Sequence, residues 1–206
     1  YWNSKDEENW NSGDEDFKFK ESYFDFIDKE FAQPIAANIT YNTVVKSIDY
    51  SNNEIVITDA KGIKHFADKV IVTVPISILK LNEIAFTPSL PTEKTLAFSK
   101  YGMGPGMKVF LKFNTKFYDD IIYGGKICGA YADDTVGKFT SDHVMLAFIM
   151  GDQAQYLTSL GSDSAITSKL LEELDQMYEG KASIAFEKSH VIDYTNKPYI
   201  KGAYGY

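Results

Sequence analysis

An α+β fold, with a mixed or antiparallel sheet flanked by helices and an appended β-meander, follows from three observations on these 206 residues. Short β-type runs crowd Ile35 to Val74. Two long apolar alternations, MKVFLKF and HVMLAFIM, lie further on and well apart. Helical patterns fall between and after these runs rather than alternating with them one for one, as strict βαβ units would require.

Tyr1 to Lys20 is polar and acidic, with Trp2, Trp10 and Phe17 at no clear period. It reads as a surface segment, ordered only where those aromatics find a groove. Tyr23, Phe24, Ile27 and Phe31 then recur at helical spacing, and Pro34 disfavours helix at the residue before it. The spacing predicts a short amphipathic helix from about Ser22 to Phe31, its aromatic stripe turned into a core.

The runs ITYNTVVKSIDY, EIVITDA, IKHFA and KVIVTVP, punctuated by SNN and KG, read as a β-meander. Asn52 and Asn53 suit the positive φ of a tight hairpin and Lys61-Gly62 supplies a second turn, so adjacent strands should pair antiparallel. Pro75 has no N–H to give a ladder and ends the strand Lys69 to Val74.

Pro91 opens a surface helix to about Tyr101, with Leu90, Ala97 and Tyr101 on one face and Gly102 as a stop. MKVFLKF and HVMLAFIM are two further strands, and IIYGGKICGAYA is a third candidate weakened by its glycines. Ser164 is placed to cap a helix carrying Ile166, Leu170, Leu171, Leu174, Met177 and Tyr178 on its apolar side. SIAFEKSHVIDY is a last strand. The chain thus divides into an acidic segment with a short helix (1–34), the meander (35–80) and the main α+β body (81–206).

With 44% hydrophobic residues the chain can bury a sizeable core. Its formal charge of -8 disfavours a nucleic-acid partner and suits a cationic ligand such as an amine. The single cysteine, Cys128, excludes an intramolecular disulfide and reads as a buried structural thiol. No apolar run approaches the roughly 18–20 residues of a membrane span, and the acidic start is unlike a signal peptide. His65, His143 and His190 are isolated and show no metal-ligand spacing, so no metal site is expected. Neither GxSxG nor a P-loop appears, which leaves hydrolase and phosphoryl-transfer chemistry without support. Asp119-Asp120 and Asp133-Asp134 read as solvated loop charges.

The strongest local oddity is the glycine-rich approach Gly102-Met103-Gly104-Pro105-Gly106 to Lys108, at the head of an apolar strand. Glycines let backbone or ligand come close, and a lysine so placed can sit at depth with a shifted pKa. On these residues alone a surface lysine behind a flexible loop is the favoured reading.

The block from Asp68 to Tyr118, comprising DKVIVTVPISILK, IAFTPSLPTEK and GMGPGMKVFLKFNTKFY, resembles the corresponding stretch of the flavin-dependent amine oxidases. That family includes monoamine oxidases, polyamine oxidases and lysine-specific histone demethylases. The resemblance implies a catalytic role for Lys108, which matches the lysine that reaches toward N5 of the isoalloxazine ring through a water. Tyr194 to Pro198, followed by GAYGY, is similar to the family's Trp, three residues, Pro and Gly-small-Tyr ending. Tyr194 stands where the family has a tryptophan beside the flavin, and a phenol is still a flat stacking surface. Tyr204 matches the tyrosine that forms one wall of the aromatic cage for the amine. Asn42 to Ile48 resembles the strand whose valine offers its backbone to the adenine of FAD. Val44 and Val45 both fit, and Val45, three residues before Ile48 as the family's valine is, is preferred. Val74 and Pro75 are expected beside the cofactor, and Tyr131 and Phe148, with Ala130 and Met150, around the substrate.

The resemblance implies the central, substrate-binding part of an FAD-dependent amine oxidase. Such an enzyme oxidises a C–N bond of a primary or secondary amine or polyamine to an imine and reduces oxygen to hydrogen peroxide. The family's GxGxxG fingerprint and its FAGEAT-like segment are not in this sequence, so the chain reads as the middle of a longer enzyme. The implied partners are a small cationic amine and the FAD-binding part of its own chain. Without a helix N-terminus and glycines for the pyrophosphate, the fragment alone is expected to bind FAD weakly or not at all and to be inactive. Two alternatives stay open: an FAD-dependent C–C oxidase or desaturase resembling protoporphyrinogen oxidase or phytoene desaturase, and a flavin-free binding module, toward which the tyrosine at Tyr194 leans.

Overall fold

The computed structural model describes Ser22 to Tyr206, so the readings of Tyr1 to Lys20, with Trp2, Trp10 and Phe17, lie outside the described residues. The described residues form two bodies: Ser22–Ile39 with Thr135–Ser141, and Thr40–Asp134 with Asp142–Tyr206.

In the first body, Ser22 caps helix α1 (Tyr23–Ile27), its hydroxyl accepting the Asp25 N–H at 3.2 Å. The helix then widens into a π turn (Asp28–Ala32) and tightens into a 3-10 turn (Gln33–Asn38). This corrects the expectation of one amphipathic helix with a buried stripe: Phe24 is 72% and Phe31 59% exposed. The change of helical pitch breaks the i, i+3, i+4 phase, and the aromatics meet each other instead, Phe26 packing edge-on to Phe31 at 5.8 Å.

The second body holds two sheets. The first has the order β3-β2-β1-β4, built from β1 (Val45–Asp49), β2 (Ile55–Asp59), β3 (Lys64–Ala67) and β4 (Ala85–Thr87). The hairpins β1–β2 and β2–β3 are antiparallel as the meander predicts, while β4 returns parallel to β1. Gly62 turns at φ 79°, and the Asp59 carboxylate accepts the N–H groups of Lys61 (2.8 Å) and Ile63 (3.0 Å) across that turn. The first turn differs from expectation. It spans Tyr50 to Glu54, neither Asn52 nor Asn53 adopts positive φ, and the Asp49 carboxylate accepts Ser51 N–H at 3.0 Å instead.

Lys69 to Val74, read from sequence as a strand, belongs to neither sheet among the described residues, and Ile71 is 89% exposed. The β-forming side chains are there, but β1 already has β2 and β4 as neighbours. Pro75 leads directly into helix α2 (Ile76–Lys80), whose Ile78 packs with Ile48 and Ile84 in a small core. Helix α3 (Thr92–Lys100) follows Pro91 with no buried residue, as a surface helix should.

The second sheet is antiparallel throughout, order β6-β7-β8-β5-β9, from β5 (Gly106–Phe113), β6 (Ile121–Tyr123), β7 (Ala130–Asp133), β8 (His143–Met150) and β9 (Phe186–Asp193). IIYGGKICGAYA is therefore a hairpin of two short strands around its glycines rather than one strand. The odd-numbered residues of β5 and those of β8 from Met145 on, among them Val109, Leu111, Met145, Ala147 and Ile149, are buried. They form one core with Leu157 of α4 (Gly151–Ser159), Leu170 and Leu174 of α5 (Asp163–Tyr178) and Ala182 of α6 (Lys181–Ala185). Each buried Val, Leu, Ile or Met side chain here contributes about 1.5–3 kcal/mol. The cap of α5 is Ser162 rather than Ser164: Ser162 is extended and its hydroxyl accepts Ala165 N–H at 3.2 Å, whereas Ser164 already lies inside the helix. Asp133, expected in a solvated loop, is 2% exposed and pairs with Lys116 at 2.8 Å. Hydrogen bonds to Asp120 and then Asp133 hold the Lys116 ammonium well above its ordinary pKa.

Candidate functional site

Pleat parity makes the site. With the odd residues of β5 buried under the helices, Lys108, Phe110 and Lys112 point to the opposite, half-open face of the sheet. Across the ladder Lys108 stands opposite Phe148 of β8 and Ile192 of β9. The Lys108 ammonium lies 5.7 Å from the centre of the Phe148 ring, within cation–π range. Phe148 in turn lies 6.1 Å from the Tyr204 ring, inclined by 32°.

The glycine loop brings Tyr204 there. Gly102 and Tyr206 exchange backbone hydrogen bonds (2.7 and 3.1 Å), Gly104 N–H donates to Tyr204 (3.0 Å) and Ala203 N–H to Gly104 (2.8 Å). Tyr194 N–H donates to Gly106 at 3.0 Å and Gly202 N–H to Tyr194 at 2.9 Å, so the segment after β9 folds back along the loop. The glycines are required by this lacing: a Cβ on Gly106 would lie 2.5 Å from the Ala203 carbonyl, and one on Gly102 would enter the Tyr206 ring. Asp193 anchors the start of the segment. Its carboxylate accepts the N–H groups of Thr195 (2.9 Å) and Asn196 (3.3 Å), the Asn196 amide (2.9 Å) and the Thr158 hydroxyl of α4 (2.9 Å).

Lys108, Phe148, Tyr194 and Tyr204 thereby line one concavity of about 240 Å³, together with Met150 and Ile200. Ile200 has no counterpart in the sequence reading; its position two residues after Pro198, in the segment that folds back, is its one cue. Val44, Val45 and Val74 line a different concavity of about 410 Å³, with Ile78, Ile84, Glu83 and Tyr199. Strand β4 pairs with Ser47 to Asp49 and stops short of Val45, so at Val45 the backbone of β1 borders this space on that side. Apolar walls beside an open strand edge fit a flat heteroaromatic held by backbone hydrogen bonds, as adenine would be. Pro75 precedes α2 and is not among the residues lining it.

Tyr131 is placed elsewhere, which corrects its expected place around the substrate. It is fully buried on the helix side of β7, and its hydroxyl donates to Glu173 of α5 at 2.8 Å. Burial, together with the nearby Cys128 and Glu173, pushes its phenol far above the ordinary tyrosine pKa. Glu173 also accepts the N–H groups of Ile127 (2.7 Å) and Cys128 (3.0 Å), fixing the β6–β7 loop. The cue in the sequence was an acid three residues after Leu170 and seven after Ile166, on the apolar stripe of the helix. Cys128 is wholly buried, and that burial pushes its thiol up to about 12. Among the described residues no helix is long and apolar enough to cross a membrane, and no cluster of three or more His, Cys, Asp or Glu side chains could hold a metal ion.

The family model described as flavin containing amine oxidoreductase matches residues 26–206. The chain belongs to this family. Among relatives of this amine oxidase chain, probable polyamine oxidase 4 of Arabidopsis thaliana is 32% identical over 79% of the chain and 33% of its own length. Lysine-specific histone demethylase 1 homolog 3 of the same plant is 28% identical over 84% of the chain and 11% of its length. The chain thus spans a third or less of these relatives. Among solved structures, putrescine oxidase bound to putrescine superposes with a TM-score of 0.75 over 88% of this chain and 41% of its own, at 18% identity. Cyclohexylamine oxidase from Brevibacterium oxydans gives 0.63 over 77% and 35%, also at 18% identity. Both share the fold.

Proposed function

We propose that the parent protein is an FAD-dependent amine oxidase, and that this chain forms the substrate-side wall of its active site together with the strand that meets the adenine. The observation that carries this reading is the convergence of Lys108, Phe148, Tyr194 and Tyr204, drawn from β5, β8 and the segment after β9, on one concavity. The polyamine and putrescine oxidases among the relatives make small amines the natural substrate class.

When bound, FAD supplies the acceptor for the hydride equivalent leaving the carbon next to nitrogen. Tyr204 and Phe148 give the amine's carbons an aromatic wall on which to pack. Lys108, a cation at the edge of that wall, disfavours the ammonium form of a bound amine and so favours the neutral amine from which oxidation proceeds. The same cation stabilises negative charge developing on oxygen as it is reduced to peroxide. Tyr194 offers a flat face beside the ring system, and Val45 offers its backbone to the adenine. The pyrophosphate would be held by residues outside this chain, so the isolated fragment is expected to be inactive. The test is amine-dependent hydrogen peroxide release by the full-length protein: release with a small amine supports the reading, and none with any mono-, di- or polyamine contradicts it.

A further inference from the structure

Resting on the reading of Val45 as the contact for adenine, we propose that Asp59 is a positioning residue for FAD: its buried carboxylate braces the β2–β3 turn, and that turn holds the backbone of Val44 and Val45 in place. A backbone contact has no side chain to swing into line, so its N–H and C=O lie wherever their own strand is held. At Val45 the sheet holds β1 weakly. Strand β4 pairs with Ser47 to Asp49 and reaches no further. Against β2 the register slips: Val45 faces Asp59 while Ser47 faces Thr58, so Lys46 is the extra residue of a β-bulge, where the ladder is locally broken. Beyond the bulge Ala60 N–H donates to the Val44 carbonyl at 2.8 Å, and Ala60 belongs to the turn that Asp59 braces.

That turn is organised around one residue. Asp59 N–H donates to the Ile63 carbonyl at 3.0 Å, and the Asp59 carbonyl accepts Gly62 N–H at 3.0 Å. A single carboxylate oxygen, Oδ1, accepts both Lys61 N–H (2.8 Å) and Ile63 N–H (3.0 Å), and Oδ2 faces His65 Nε2 at 3.3 Å. Of the buried carboxylates among the described residues, Asp133 and Glu173 belong to the second sheet and its helices, and Asp59 to the first. A carboxylate taken out of water stays there when its hydrogen bonds are made, and here they are made to the turn's own backbone. Without it, the Lys61 and Ile63 N–H groups lose their acceptor and Ala60 is no longer held against Val44.

Asp49 provides the comparison. It braces the turn at the opposite end of β1, its carboxylate accepting the Ser51 N–H (3.0 Å) and the Ser51 hydroxyl (2.6 Å). There, however, Ser47 to Asp49 pair with β2 on one side and β4 on the other, so the sheet itself fixes the strand. The two aspartates make the same kind of turn on the same strand, and only the one at the Val45 end bears on the proposed contact.

The test uses the full-length protein stripped of flavin and follows FAD binding by the quenching of flavin fluorescence. Asp59→Ala should raise the Kd for FAD about 10-fold or more, the scale of losing hydrogen bonds to a charged group. At saturating FAD its kcat and amine KM should equal those of the unaltered protein, because Lys108 lies on the other sheet. Asp59→Asn keeps a carbonyl oxygen for the Lys61 and Ile63 N–H groups and should restore FAD affinity, and Asp49→Ala should leave it unchanged. Should circular dichroism find Asp59→Ala unfolded, Asp59→Ser, with one short hydroxyl for the two N–H groups, carries the test with a rise of about 3-fold. FAD affinity that neither Asp59→Ala nor Asp59→Ser weakens overturns the positioning role and leaves the amine oxidase reading intact. An equal loss in Asp49→Ala, or a lower kcat at saturating FAD, overturns it too, since the effect is then one of general stability. Asp59→Asn as weak as Asp59→Ala overturns the assignment to the turn's N–H groups. An unaltered protein that binds no FAD overturns both readings.

Discussion

Lys108 and Lys112 share a strand and a face, yet their surroundings assign them different work. Lys112 is neutralised by Asp142 at 2.7 Å and Glu187 at 3.6 Å, which raise its pKa, whereas the Lys108 ammonium lies over the Phe148 ring. In the full-length enzyme Lys108→Met should therefore slow reoxidation of the reduced flavin by oxygen about 10²-fold, with Lys112→Met unchanged, as stopped-flow mixing with oxygen would read. Tyr131→Phe should instead cost stability, because Glu173 loses a buried donor: about 1–3 kcal/mol, seen as a lower Tm with amine kinetics unaltered. Cys128, wholly buried and with its thiol held in the neutral form at ordinary pH, should resist alkylation by iodoacetamide until the protein is denatured, as peptide mass spectrometry would show. At this scale the family resemblance, and not the residue pattern, named Lys108, Phe148, Tyr194 and Tyr204, and these four line one concavity. The sequence did not reveal Tyr131 as a core residue, because a strand of pattern AYAD does not say which face lies under the helices until α5 is docked.

The element on which the site depends is the segment after β9, laced to the glycine loop before β5. Gly106→Ala places a methyl against the Ala203 carbonyl, while Gly129→Ala meets nothing within 4 Å and needs no positive φ. The first should expose the backbone amides of Ala203 to Tyr206 to hydrogen exchange and lower activity of the full-length enzyme, and the second should change neither. Strict alternation made β5 and β8 legible with accurate ends. Helix α4 escaped notice because GDQAQYLTS buries only Ala154 and Leu157, too few to show a period. The Lys69 to Val74 run was read as a strand on propensity alone, and propensity does not supply a neighbour.

On the scale of the whole molecule, α+β architecture was readable from element order, and the split into a meander-based sheet and a helix-backed sheet follows the change from short β runs to long alternations. What pattern reading cannot deliver is the convergence of residues 86 positions apart, such as Lys108 and Tyr194, since that depends on antiparallel register across β5 and β9. On the proposed reading the two concavities, one bordered by Val45 and one by Lys108, would receive the adenine and reactive ends of one extended cofactor. The chain purified alone should nonetheless show no flavin absorbance, because this sequence carries no GxGxxG turn to hold the pyrophosphate. The most direct measurement of the central claim is the visible spectrum of the full-length protein during anaerobic titration with small amines. Oxidised-flavin absorbance near about 450 nm that bleaches with an amine and returns when oxygen is admitted is the predicted result; flavin absorbance that no amine bleaches, or none at all, would contradict the account.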